Sequence, residues 1–496
     1  VLPKGAVGVV VVPRVEAVGQ KLSILEKLKV AGFLAQLQGF ADAKGFSDAL
    51  VAELGIDVRS AEALEKAGID PKKGLGAALL MTGHAYLALP VQDAAKLHTA
   101  LEALSYRRLG AGANGEQKAG DVVVKTFSPQ AGQPPRLGYV LAHGYALVAT
   151  DAALSGLATL ATLPEADALS SDARLKEALG RLEGERDLFA WLPPGSPVLG
   201  RLPVSSALVT ASLTPVGLSV AVDALWKGGA EQLAVLETRS GPDLLGLLPR
   251  DAFLVARFLG EPQRLAPFAG ELLGPYLGRA FAEAGFDVKA EVLEKLKPGA
   301  VLALSLAERP PMDRGVPSFD VRQTNPFTYA HLSGAAPLVS KDGAWATLEK
   351  VAQVAPRFGA QMQKADREGT PVLLTTYAQG EGVHFAVKGD RVLFASPVQR
   401  LDALVQRDGA GGSPVAGLTN HAVSVAVDLS RLNQSVRALP DSAWGIGGFA
   451  VKATTVRWLE AMDDLKAVTL SMGAKDKAVQ ARLVLALGAT EASHGP

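Results

Sequence analysis

Residues 382–406 read GVHFAVKGDRVLFASPVQRLDALVQ. Apolar residues alternate with other residues up to Lys388-Gly389-Asp390, then resume through Leu393 and Phe394. Ser396-Pro397 ends that run, and apolar residues follow at helical spacing. A period of two that turns into a period near 3.6 predicts strand, turn, strand, helix. Residues 137–161, LGYVLAHGYALVATDAALSGLATLA, repeat this order about 245 positions earlier. Gly144 then stands opposite Gly389, since a hairpin turn calls for positive φ. Thr150 and Ser396 stand where a helix N-cap hydroxyl accepts from a free backbone N–H.

The flanking segments match in the same order. DVVVKTFS (121–128) pairs with TPVLLTTYA (370–378), and DAAKLHTALEAL (93–104) with DGAWATLEKVAQV (342–354). LPKGAVGVVVV (2–12) pairs with LPRDAFLVARF (248–258), and DLFAWLP (187–193) with AVSVAVD (422–428). Matches in one order at nearly constant offset read as an internal repeat. The expected organisation is therefore a first unit over 1–240, a second over 241–491, and a tail over 492–496. Strands joined by short turns pair antiparallel. The fold class is α+β, two similar tandem units, each a mainly antiparallel meandering sheet with helices packed on one face. The Pro-rich segment 308–327, ERPPMDRGVPSFDVRQTNPF, reads as a loop insertion in the second unit, and 262–285 as a long helix.

The chain has 496 residues, 48% of them hydrophobic and 20% charged, which is the profile of folded domains. Lys plus Arg equals Asp plus Glu at 50 each. A neutral chain without a basic stripe argues against nucleic acid as a partner. The absence of cysteine excludes disulfides, thiolate metal sites and a cysteine nucleophile. It leaves the compartment open, because cytosolic and exported proteins can both lack cysteine. Two uncharged stretches, 74–92 and 202–222, reach the length of a membrane span. Each is broken by a turn signal, at Thr82-Gly83-His84 and at Thr214-Pro215-Val216-Gly217, so both read as hairpins and no membrane span is expected. Val1-Leu2-Pro3 already reads as the start of a first strand, as it would if a leader had been removed.

The LP-x-x-A opening of each unit (Leu2 to Ala6, Leu248 to Ala252) stands with hairpins that end in Val148-Ala149-Thr150 and Phe394-Ala395-Ser396 before a helix. This combination resembles a family of exported bacterial envelope and lipoprotein-type proteins of unknown function, built from duplicated strand–helix–hairpin units. The resemblance implies an extracytoplasmic location, in the periplasm or at the outer membrane, and brings no established chemistry with it.

Catalytic and cofactor motifs are not found. Gly110 to Gly115 matches G-x-G-x-x-G, but a helix precedes it and the polar EQKAGD follows. A dinucleotide site needs a strand before and a helix after, so this segment reads as a loop. Arg407 to Gly412 fills a comparable place after a helix. The seven histidines show no metal-ligand spacing. No catalytic residue, metal site or cofactor is assigned. The run WGIGGFAVKA (444–453) reads either as an aromatic binding lip beside glycines or as an edge strand. Trp444, Gly447 and Gly448, with strand residues Val209, Leu218 and Val220, form the candidate apolar binding lip. The expected function is a non-enzymatic cell-envelope protein that binds or scaffolds a partner protein. The alternative is a periplasmic carrier of a hydrophobic ligand such as a lipid or acyl chain. An enzyme assembled from scattered residues ranks third.

Overall fold

The computed structural model describes residues 1–200, 202–268, 283, 285–307, 329–377, 380–409, 411–444 and 448–488. Within it the chain divides into two units, one of Val1–Gly228 and one of Gly229–Gly488. The expected insertion 308–327, the tail 492–496, Gly447 and most of the helix expected over 262–285 lie outside the described residues. Pro262–Phe268 forms 3-10 turns.

The first unit holds strands β1 (Gly8–Val12), β2 (Leu75–Leu79), β3 (Ala85–Pro90), β4 (Ala113–Ala119), β5 (Val122–Ser128), β6 (Leu137–Ala142), β7 (Tyr145–Thr150), β8 (Leu188–Leu192), β9 (Val204–Thr214) and β10 (Gly217–Trp226). They lie in the order β4-β5-β6-β7-β3-β2-β1-β8-β9-β10, every neighbouring pair antiparallel. Its helices are α1 (Val15–Glu26), α2 (Lys29–Leu37), α3 (Ala43–Leu54), α4 (Ala61–Lys66), α5 (Ala94–Leu109), α6 (Leu157–Ala161) and α7 (Ala173–Arg181).

The second unit holds β11 (Leu254–Phe258), β12 (Ala300–Leu306), β13 (Ala330–Pro337), β14 (Ala360–Arg367), β15 (Thr370–Tyr377), β16 (Gly380–Glu381), β17 (His384–Lys388), β18 (Arg391–Ser396), β19 (Val423–Asp428), β20 (Leu465–Lys475) and β21 (Ala478–Leu487). Its sheet runs β14-β15-β17-β18-β13-β12-β11-β19-β20-β21, again antiparallel throughout, with β16 a short addition beside β15. Its main helices are α8 (Lys341–Val354), α9 (Val398–Gln406), α10 (Leu429–Ala438) and α11 (Gly448–Ala461). The class is α+β with antiparallel sheets, as the hairpin spacing predicted.

The expectation of helices on one face is corrected. In β7 the four residues Ala146–Ala149 are all buried, which requires cover on both sides. On one face Val9, Tyr86 and Leu147 pack with Leu157 and Leu160 of α6 and Leu175 of α7. On the other, Tyr139, Ala146 and Val148 pack with Leu64 of α4 and Leu97 and Leu101 of α5. The second sheet is likewise covered by α9 through Leu401 and Leu404, and by α8 through Ala344 and Leu348.

Both uncharged stretches are hairpins. β9 and β10 pair from Thr214↔Gly217, and β2 and β3 pair from Leu79↔Ala85 with Gly83 at φ +80°. No helix among the described residues is long and apolar enough to cross a membrane. Strand register also moves the glycines of the two matched turns. Tyr145 pairs with Ala142, so His143 and Gly144 form the loop, both at positive φ. Arg391 pairs with Lys388, so Gly389 and Asp390 form the other, with Gly389 at φ +60°. Gly389 therefore holds the first loop position and Gly144 the second, which are the glycine places of type II′ and type I′ turns. The G-x-G-x-x-G segment is not simply a loop. Gly110 ends α5 at φ +62°, and β4 then starts at Ala113. Six of the seven β4 residues are exposed, as suits a polar edge strand.

Candidate functional site

An apolar cavity of the first unit is built on the face of the sheet that carries α6 and α7. Register places Phe189 beside Val11, Val11 beside Gly76, and Gly76 beside Ala88. Residues directly opposite across antiparallel strands share a face, so these four form one row. Gly76 and Ala88 leave the middle of the row low, while Val11 and Phe189 stand on one side. Tyr145, two residues before the core residue Leu147, reaches the same face. A Cβ at position 76 would stand 2.7 Å from Leu2 Cδ1, so the end of that side chain would have to shift.

The opening segment and α7 close the cavity from above. Leu169 N–H donates to the Leu2 carbonyl at 2.7 Å, and Pro3 forms an isolated bridge with Ala168. These contacts hold Leu2 and Leu169 at the rim. α7 adds Leu175, Lys176 and Leu179, the two leucines one helical turn apart. The space is about 520 Å³ and opens to solvent on one side, within the usual size range of ligand pockets. Apart from Ser170 and Lys176, its lining side chains are aliphatic or aromatic.

α7 is held at both ends. Asp172 caps it by accepting from Arg174 N–H at 2.9 Å and Leu175 N–H at 3.4 Å. Burial pushes the Asp172 carboxyl up, but hydrogen bonds from the Arg174 side chain and backbone outweigh burial and hold it below the usual aspartate range. At the other end Arg181 donates twice to Asp223 of β10, at 2.8 and 2.6 Å. The Asp223 side chain is 1% exposed, so this fork pairs with a buried charge.

Two sets of polar groups in the second unit are engaged with one another. His384 Nδ1 accepts from Thr375 N–H at 3.0 Å, which leaves Nε2 to donate to Glu381 Oε2 at 3.1 Å. The same Glu381 oxygen accepts from Val398 N–H at 3.0 Å, and so caps α9. The expected hydroxyl caps are corrected: Thr150 makes no side-chain cap bond, and the N-cap place before Val398 is held by Pro397 and not by Ser396. Arg400 Nε donates to His331 Nδ1 at 3.4 Å, and its two terminal nitrogens donate to Asp251 at 2.7 and 2.5 Å. Among the described residues no group of three or more His, Asp or Glu is placed to hold a metal ion. A smaller notch of about 230 Å³ lies beside Arg250, Arg407 and Gly411.

The sequence-derived lip residues fall in separate places. Val209, Leu218 and Val220 share one face of the β9–β10 hairpin and are half-buried. Trp444 belongs to the second unit, where it is 6% exposed among Tyr329, Leu439 and Ala443. Gly448 is the first residue of α11, so the run from Trp444, where it is described, is helical and not the edge strand considered for it. Gly447 lies outside the described residues. None of the six lines the cavity under α7. That cavity is assembled from residues as distant as Val11, Gly76, Tyr145 and Phe189, which no single stretch of sequence brings together.

No family model and no curated protein matches the chain. Among solved structures, crystal form III of TP0453, a Treponema protein, matches with a TM-score of 0.26 and 9% identity, over 46% of this chain and 81% of that one. Crystal form I of TP0453 matches with a TM-score of 0.25 and 10% identity, over 46% of this chain and 78% of that one. At these TM-scores the likeness carries no argument.

Proposed function

We propose that this chain is a non-enzymatic binding protein of the bacterial cell envelope, and that its first unit holds a hydrophobic ligand such as a lipid or acyl chain. The observation that supports this reading is the cavity of about 520 Å³ under α7, walled by Leu2, Val11, Ala88, Leu179 and Phe189. Burial there stabilises a ligand by about 25 cal/mol per Å² of apolar surface. Only one charged side chain, Lys176, lines it. Bond cleavage needs a nucleophile or base and an oxyanion donor converging on one point, whereas these walls offer apolar contact. The envelope location rests on the LP-x-x-A and hairpin resemblance. Docking of an envelope partner is a second reading, supported by Leu34 and Leu37 of α2, which are 52% and 57% exposed one turn apart.

Titration with a fluorescent apolar probe tests the first reading. Wild type is expected to bind one probe per chain saturably, and Leu179→Trp, which fills the cavity from α7, to bind at least about tenfold more weakly, the loss of roughly two buried methylenes. Equal binding by the two proteins, or no saturable binding, would refute it.

A further inference from the structure

We infer that the ligand of this cavity is a single-tailed amphiphile with a carboxylate head, and that Lys176 pairs with the head. The inference rests on the pocket reading above and adds the ligand's class. Leu175 and Leu179 face the cavity from α7, and Lys176 stands between them in sequence with an exposed side chain. Among the described residues Lys176 forms no ion pair. Asp172, four residues earlier, is already committed to the N–H groups of Arg174 and Leu175 and to the Arg174 side chain. The cavity thus presents an apolar interior with the Lys176 ammonium group at its edge. That pattern complements a molecule with one anionic end and one apolar body.

The head is narrowed by what is missing around the lysine. Phosphate sites commonly add arginine forks or free N–H groups at a helix N-terminus to a lysine. Here the N-terminal N–H groups of α7 are occupied by a carboxylate, whose charge also opposes a dianion. A monoanion facing one ammonium group is the arrangement these residues fit. The tail is narrowed by volume. If a methylene takes about the ~30 Å³ of a water in the liquid, then 520 Å³ accepts about seventeen, which is one long tail and not two.

The same row in the second sheet has different chemistry. Register there runs Ser424, Arg257, Val301, Ala335, in the places of Phe189, Val11, Gly76 and Ala88. Arg257 donates to the Thr419 carbonyl and, at 2.8 Å, to Asn420 Oδ1. A charged and a branched side chain thus replace Val11 and Gly76, so the inference is confined to the first unit.

The test compares palmitate, its methyl ester and hexadecyl phosphate by calorimetry on the full chain, as wild type, Lys176→Ala and Lys176→Glu. Wild type is expected to bind palmitate about fivefold more tightly than the ester, the upper range for an exposed ion pair. Lys176→Ala should erase that preference and Lys176→Glu reverse it, the preference being read as the ratio of palmitate to ester affinity within each protein. Equal affinity for palmitate and ester in wild type, or a preference that survives Lys176→Ala, overturns the carboxylate assignment while the apolar pocket stands. A Lys176-dependent preference for the phosphate also overturns it. Failure of all three ligands to bind overturns the pocket reading as well.

Discussion

Asp172 shows how one side chain serves both fold and site. It caps α7, and α7 supplies one wall of the cavity. Its carboxyl titrates below the ordinary aspartate range in the folded chain because the Arg174 side chain and backbone outweigh burial. A carboxyl of this kind contributes stability fully above its unfolded value of about 3.9, and the contribution fades as pH falls through the lower folded value. Asp172→Asn keeps a cap acceptor but loses the charge. Wild type should therefore be the more stable of the two at pH 7, and the gap should close as the pH falls below about 4. Urea unfolding across that range measures it, and a gap that widens in acid would contradict the sign. Asp172→Ala should cost about 1–2 kcal/mol at pH 7 through the lost cap. This cap was local in sequence, two and three residues from the N–H groups it serves. The cap of α9 was not: Glu381 stands 17 residues from Val398, and only the fold of β17 and β18 brings them together. Ser396 looked like the cap because sequence shows neighbours along the chain alone.

At the scale of elements, hairpins and helices follow from local pattern, and the cavity follows from pairing. The turns at His143-Gly144 and Gly389-Asp390, the hairpin across Thr214-Pro215, and helices α5 and α8 all have their signals within a few residues. The polar strand β4 read as a loop because an edge strand with exposed faces lacks the apolar alternation that marks other strands. The cavity floor needed the registers of β8, β1, β2 and β3 together, which no single stretch carries. The fork between Arg181 and Asp223 spans 42 positions and was equally silent. It ties the end of α7 to β10, so Asp223→Ala leaves a guanidinium that is only 14% exposed without that partner. The expected cost is about 3–5 kcal/mol, with probe binding weakened because the helix over the cavity loosens. Denaturant unfolding and the probe titration read both effects. A loss under about 1 kcal/mol, in the range of exposed pairs, would show that the fork does not anchor α7.

For the whole molecule, the two units follow the same strand order, and a neutral charge balance accompanies them. The matched segments that suggested a repeat in the sequence occupy corresponding places in the two orders: β1 and β11, β5 and β15, β8 and β19. Side chains differ where the strands agree, as Gly76 and Val301 do, and that difference gives the first unit its cavity. The central claim is that an apolar ligand sits under α7. Photo-crosslinking the full chain with a fatty acid that carries a diazirine at its tail, followed by peptide mass spectrometry, places the ligand directly. Adducts are predicted on segments 1–13, 74–88 and 169–189 and at Tyr145, which together hold the cavity's lining residues, and they should disappear with excess palmitate and in Leu179→Trp. Adducts that persist in Leu179→Trp, or that fall on other segments, would contradict the account.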